Sequence, residues 1–215
     1  MREMTKDVVI LTKSAKRKHY CVAGVDVGTG AWVRLVSSDR GSHGALTGRH
    51  MTYADGSECE PLDVVRVELL RAVPEIHQPE NFLIDERQKL QKLGTWTIQQ
   101  VLRVHPAETP DKVYHNTERY LSEEEIGQVN SSLLLVQSSW LRINQIAAPG
   151  EKPKTRANFR YNGEFYNNIS LTDPAYFQAE NQTVLRNVCL VVSLPDAPFD
   201  DGRYYKFIAR IFPQD

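Results

Sequence analysis

The chain has 215 residues and a formal net charge of −1, with 41% hydrophobic and 25% charged residues. These values are typical of a globular protein that forms one large domain or two small ones, and they exclude a strongly basic chain and a disordered one. Residues 1–50 carry nine Lys or Arg against four Asp or Glu, whereas residues 51–130 carry eight against fifteen. An anion-binding face must therefore be local, because the field of the whole molecule is weak.

The first forty residues predict three short strands, Val8–Leu11, Tyr20–Val25 and Trp32–Val36. A basic cluster joins the first two of them and consists of Lys13, Lys16, Arg17, Lys18 and the adjacent His19. Three strands in series with a cationic connector suit a small barrel that binds an anion, because the loop between the first two strands of an OB-fold is a usual ligand-binding loop. A longer strand follows at Leu62–Leu70, with Val65, Val67 and Leu69 on one face.

The middle of the chain, residues 85–130, is acidic and contains two predicted helices, Thr95–His105 and Ser122–Val129. Ser122 with Glu125 three residues later is the pattern of a capping box. The apolar positions of these helices predict that Trp96, Leu102 and Ile126 are buried.

The last segment returns to strands. The strongest local signal is Asn162-Gly163, a dipeptide typical of a tight hairpin turn, between Arg156–Tyr161 and Glu164–Ile169. Further strands are predicted at Leu133–Val136, Trp140–Ile143, Val188–Leu194 and Tyr204–Phe212. The chain is therefore expected to be mostly β, with two OB-like small β-barrels over residues 1–84 and 131–215 and a helical acidic insert over residues 85–130.

Several of these segments, in the same order, resemble the dual OB-domain proteins of prokaryotes. The matching segments are Val9–Ser14, Cys21–Gly24, Trp32–Val36, Pro61–Val65, Gln78–Asn81, Ser170–Pro174, Val192–Leu194 and Tyr205–Ala209. The resemblance implies two OB-like barrels and a nucleic-acid-binding role in prokaryotic defence or nucleic-acid metabolism.

Binding of single-stranded or structured DNA or RNA is the function that we expect from these patterns. A cationic groove beside stacking aromatic rings is how single strands are held. The expected contact residues are Lys13, Lys16, Arg17, Lys18, His19, Arg34, Lys154, Arg156, Arg160 and Tyr161. Arg34 lies within an apolar strand, so it contacts either a ligand or a partner such as Asp26 or Asp63.

Two alternatives belong to other classes of protein. The first is an enzyme or sensor that acts on a nucleotide or modified base through His43, His50, Asp55 and Cys59, whose spacing matches no standard zinc or thiol pattern. The second is a protein-interaction module of a defence complex, with the acidic middle segment as its partner face. We expect binding rather than catalysis, no metal and no cofactor.

The three cysteines, Cys21, Cys59 and Cys189, form no CxxC pair, which predicts free thiols in a reducing compartment. The N-terminus has no apolar signal segment, and no apolar run approaches the roughly 20 residues that cross a bilayer. We therefore expect a cytoplasmic protein with no membrane partner.

Overall fold

The computed structural model describes residues 4–16, 19–147, 150 and 153–214, without the side chains of Lys16 and Arg40. The chain divides into two compact units, Met1–Pro106 and Ala107–Asp215. The first contains β1 (Met4–Lys16), β2 (His19–Asp26), β3 (Trp32–Val36), β4 (Asp63–Ala72), β5 (Asn81–Ile84), β6 (Gln91–Thr95) and α1 (Ile98–Val104). A short 3-10 turn covers Arg40–Ser42.

Five strands of the first unit form a closed ring of pairings. Strand β1 pairs antiparallel with β2 and β4, β2 with β3, and β4 with β5. The ring closes through a parallel pairing of β3 with β5, in which Arg34 lies opposite Asn81. Strand β6 adds to the free edge of β4. This is the pairing order of an OB-type barrel.

The interior of this first barrel is filled by one face of each strand. Val65, Val67 and Leu69 alternate along β4 and are all buried in the core, as their spacing predicts. They pack with Val8 and Ile10 of β1. The alternation of apolar and polar residues therefore determines which face of β4 lines the barrel.

The turn after β2 is built around Asp26 and Gly30. Asp26 Oδ1 accepts hydrogen bonds from the backbone N–H groups of Gly28 and Thr29, each 2.9 Å long. Gly30 has a φ of +70°, and a Cβ at this position would lie 2.2 Å from the carbonyl oxygen of Val104. Only glycine fits this turn against the end of α1.

The second unit contains β7 (Tyr120–Leu121), α2 (Glu123–Ile126), β8 (Leu133–Ile146), β9 (Lys154–Tyr161), β10 (Glu164–Leu171), β11 (Val184–Ser193), β12 (Tyr204–Tyr205) and β13 (Phe207–Pro213). Strands β8, β9, β10, β13 and β11 form a closed barrel. Its closure is again a parallel pairing, here of β10 with β13, with Ser170 opposite Phe207. The two barrels therefore share one order of strand pairing, and the chain is mostly β, as the sequence predicts.

The hairpin between β9 and β10 turns at Asn162 and Gly163, as predicted. Their φ angles are 53° and 82°, and Tyr161 pairs with Glu164 on either side. Two successive left-handed residues are typical of a type I′ turn, whose twist matches that of the strands. The rings of Phe159 and Tyr166 then stack 4.7 Å apart inside the barrel.

The segment 85–130, expected as a helical insert, contains the boundary between the two units. Strand β6 and α1 belong to the first unit, whereas Ile126 is buried in the core of the second. Trp96 and Leu102 are only half-buried, so the expected burial is found for Ile126 alone. Helix α1 begins only at Ile98, because Thr95 pairs with Asp63 in the sheet and Thr97 then caps the helix.

Candidate functional site

Lys13, in the first basic cluster, is held in two ion pairs. The ammonium group of Lys13 lies 2.7 Å from Glu58 Oε2 and 2.9 Å from Glu60 Oε1, and the residue is buried. Burial acts to lower the pKa of Lys13, but the hydrogen bonds to these two carboxylates raise it above its ordinary value. Lys13 is therefore charged but neutralised by its neighbours, and a phosphate must displace a carboxylate to reach it.

The rest of this cluster lies at the tip of the β1–β2 hairpin. Lys16 ends β1 and pairs with His19 at the start of β2. His19 is half-buried, and its Nδ1 has no hydrogen-bond partner among the described residues. Arg17, Lys18 and the Lys16 side chain lie outside the described residues.

Arg34 is buried on β3, and its partner is Glu80. The guanidinium Nε lies 3.8 Å from Glu80 Oε1, and the Arg34 backbone N–H donates to the Glu80 carbonyl oxygen over 2.8 Å. The partners expected from the sequence, Asp26 and Asp63, are bound to other cations, Lys6 and Lys92. Glu80 is not among the partners expected from the sequence. It directly precedes β5, and β5 pairs with β3, which carries Arg34.

The outer face of the second barrel carries a different arrangement. Cross-strand register places Trp140 of β8 opposite Arg186 of β11 and Arg160 of β9, and Arg160 opposite Phe165 of β10. Directly opposed residues share one face of a sheet. The rings of Trp140 and Phe165 stack with centroids 5.7 Å apart and planes at 29°. Phe165 is 39% exposed and Trp140 is half-buried, so this aromatic pair is partly open to solvent.

Arginines surround this aromatic pair. The guanidinium of Arg142, two residues after Trp140, lies 5.8 Å from the centre of the Trp140 ring. Arg160 and Arg186 are exposed. In the described part of the chain, no carboxylate lies within 4 Å of Arg142, Arg160 or Arg186. We call Trp140, Phe165, Arg142, Arg160 and Arg186 the aromatic–arginine face.

Several cations of the first unit, unlike these arginines, are ion-paired. Arg66 makes a two-pronged pair with Asp7, with bonds of 2.8 and 2.9 Å. Arg87 lies 2.7 Å from Asp85. Unlike Arg66 and Arg87, the arginines of the aromatic–arginine face have no carboxylate within 4 Å among the described residues.

The sequence profile of the dual OB-containing domain matches residues 6–211. The chain belongs to this family. The match confirms the resemblance found in the sequence and agrees with two barrels of one strand order. No curated protein and no solved structure matches the chain.

Within an OB-fold, oligonucleotides and oligosaccharides bind on the face of the second and third strands. In the second barrel of this dual OB chain these are β9 and β10, which carry Arg160 and Phe165. Two of the five residues of the aromatic–arginine face therefore lie on the strands with which OB-folds bind their ligands.

Three further predicted contact residues lie on β9. Lys154 is exposed at the start of the strand. Arg156 is half-buried and donates a hydrogen bond to Ser170 Oγ, and burial together with nearby Arg119 lowers its pKa. Tyr161 is buried, and its hydroxyl donates to the Pro110 carbonyl oxygen over 2.7 Å. The ring of Tyr161 thus packs in the core of the barrel rather than on its surface.

The alternative catalytic loop gains no support from its geometry. Cys59 is fully buried, and burial raises the pKa of its thiol to about 11, so little nucleophilic thiolate forms near neutral pH. His50 Nδ1 accepts from the Thr47 backbone N–H over 3.2 Å, and Asp55 is occupied by Ser57. Among the described residues, no group of three His, Cys, Asp or Glu is placed to hold a metal. The helices of the described chain lack the length and apolar character of membrane spans.

Sequence reasoning identified Arg160 but missed Trp140, Phe165, Arg142 and Arg186. The alternation in Trp140-Leu141-Arg142-Ile143 already places Trp140 and Arg142 on one face of a strand. The sequence does not show which face of this strand points outward. It also does not show which residues of β9, β10 and β11 lie beside that face, because both depend on long-range register.

Proposed function

We propose that this protein binds single-stranded nucleic acid through the aromatic–arginine face of its second barrel. The observation that carries the proposal is the partly exposed stack of Trp140 on Phe165, surrounded by arginines that no described carboxylate neutralises. Such rings offer surfaces on which unpaired bases stack, while the arginines contact phosphates. A regular duplex hides its base faces in its own stack, so single-stranded or unpaired structured DNA or RNA fits better.

The first basic cluster and its neighbours are a second proposed contact region. Lys13, Lys16, Arg17, Lys18, His19 and Arg34 contribute there, and Lys154 and Arg156 extend the aromatic–arginine face along β9. Because Lys13 and Arg34 are ion-paired, they contribute less to affinity than the unpaired arginines. The family resemblance supports a role in prokaryotic defence or nucleic-acid metabolism, in the cytoplasm.

The test is a salt titration of oligonucleotide binding measured by fluorescence anisotropy. The variant Arg142→Ala/Arg160→Ala removes two proposed phosphate contacts. For single strands each contact contributes about 0.7 to the slope of log K against log salt, so the slope should fall by about 1.4. The control Arg66→Ala/Arg87→Ala removes the same charge from ion-paired positions and should leave the slope nearly unchanged.

An unchanged slope in Arg142→Ala/Arg160→Ala would remove the face from the binding site. Absence of salt-dependent binding to any oligonucleotide by the unmodified protein would contradict the proposed function. Stable capture of a protein partner in that case would favour the interaction module.

A further inference from the structure

A polar pocket adjoins the aromatic–arginine face on the outer surface of the second barrel. It has a volume of about 430 Å³ and is lined by Arg142, Asn144, Asn158, Asn167, Asn168 and Gln182, among others. All but one of its lining residues carry an amide or a guanidinium group, and none of these described residues carries a carboxylate. Arg142 belongs both to this pocket and to the aromatic–arginine face, so the two are continuous.

A β-bulge in β10 shapes one wall of the pocket. The register between β9 and β10 shifts between Tyr166 and Ile169, which leaves an extra residue in β10. Asn168 adopts a φ of 57°, and its backbone N–H donates to Asn158 Oδ1 over 2.8 Å. This hydrogen bond fixes the bulge, and bulges commonly redirect side chains next to binding sites.

The pocket holds one buried polar atom that the described part of the chain does not satisfy. Arg142 Nε is buried and has no hydrogen-bond partner there. Gln182, in the segment before β11, also has a left-handed backbone, with a φ of 65°. The buried Nε of Arg142 beside a lining of side-chain amides indicates a site that suits a polar ligand.

We infer that this pocket receives an unstacked base of the strand bound by the aromatic–arginine face, and that it gives the protein a preference among bases. The inference rests on the proposed function. Side-chain amides donate and accept hydrogen bonds at once, as the edges of nucleobases do, and Asn and Gln pair with bases in a two-pronged manner. A base that leaves the Trp140–Phe165 stack meets Arg142 and then the amides.

The experiment measures the affinities of oligo(dA), oligo(dC) and oligo(dT) of about 12 nucleotides, within the range of OB-fold site sizes. The variant Asn144→Ala/Asn167→Ala removes two pocket amides and keeps every residue of the aromatic–arginine face. The matched control Gln91→Ala/Gln99→Ala removes two amides that are exposed on β6 and α1 of the first unit. Equal thermal melting of all proteins establishes that the variants fold.

The unmodified protein should prefer one of the three oligonucleotides by about tenfold, and the pocket variant should reduce this preference to about twofold or less. The salt slope should stay unchanged, because phosphate contacts remain. The variant Asn167→Asp keeps the side-chain shape but replaces the amide donor by a carboxylate oxygen, so it should change which base is preferred.

Equal binding of all three oligonucleotides by the unmodified protein would overturn the base pocket and leave the proposed function standing. A preference that survives in Asn144→Ala/Asn167→Ala would also overturn it. Absence of salt-dependent binding to any of them would instead overturn the proposed function and, with it, this inference.

Discussion

The ammonium group of Lys206 donates hydrogen bonds of 2.7 Å to both the backbone oxygen and Oδ1 of Asn116. A third bond of 2.7 Å reaches the Val113 carbonyl oxygen. Between these acceptors, Tyr114 and His115 adopt left-handed φ angles of 52° and 67°. One buried lysine therefore holds an irregular turn against the start of β13.

Lys206 should make the stability of the protein depend on pH above neutrality. Burial lowers its pKa to about 7 from 10.5, although Glu125 and Glu118 act to raise it. Between these values the unfolded chain binds more protons than the folded one, so the contribution of Lys206 to the free energy of unfolding rises with pH. Relative to Lys206→Met, the unmodified protein should gain about 2 kcal/mol from about pH 7 to about pH 9 in urea unfolding. A difference that stays constant over this range would contradict the shifted pKa.

Removing the Trp140 ring should weaken binding without changing its electrostatics. We expect Trp140→Ala to lose about 1–3 kcal/mol of binding free energy, as loss of a stacked base does, with an unchanged salt slope. Phe199→Ala is the control, because Phe199 is 49% exposed in the loop between β11 and β12 and lies outside the face. Equal losses in the two variants would show that Trp140 is not a specific stacking surface.

Gly30 should tolerate no side chain. Its φ is +70°, and a Cβ would lie 2.2 Å from the Val104 carbonyl oxygen, so Gly30→Ala should destabilise the first unit by about 2 kcal/mol or more. A Cβ at Gly48 meets no atom within 4 Å, so Gly48→Ala should be close to neutral. Urea unfolding midpoints test the pair, and similar midpoints for both variants would show that the turn can relax.

Neutralising Arg17 and Lys18 together should lower nucleic-acid affinity similarly for all sequences. If both contact phosphates, the salt slope should fall by roughly one to two units. The measurement is the same anisotropy titration, with Arg66→Ala/Arg87→Ala as the charge control. A slope equal to that of the unmodified protein would exclude this loop from the contact region.

Cys59 should react slowly with thiol reagents in the folded state. Its thiol is buried and has a pKa of about 11, so only about a thousandth of it is thiolate near pH 8. Cys21 is half-buried and should be labelled first. Mass spectrometry after timed alkylation distinguishes the sites, and rapid labelling of Cys59 would revive the thiol-based alternative.

Local features of this fold could be predicted because a few neighbouring residues determine them. Asn162-Gly163 forms the expected tight turn, and Ser122 with Glu125 forms the expected capping box, with bonds of 2.9 and 3.2 Å. The capping box nevertheless begins a helix of only four residues, Glu123–Ile126, which ends before Gly127.

The site was less predictable because it depends on partners that are distant in the sequence. Lys13 sits in a dense basic cluster, yet Glu58 and Glu60, more than forty residues later, neutralise it. Trp140 and Phe165 are separated by an intervening strand and meet only through the registers of β8 with β9 and β9 with β10. Charge density along the chain therefore did not reveal that Lys13 is neutralised or that Trp140 and Phe165 meet.

The parallel closure of each barrel has a consequence for protein synthesis. The first barrel cannot close until β5 has left the ribosome and reached β3, and the second must wait for β13 to reach β10. Pairings between distant segments form slowly, since a long loop must be ordered first. During translation each nascent barrel therefore exposes an unpaired strand edge, and the first unit can complete its fold while most of the second is still being made.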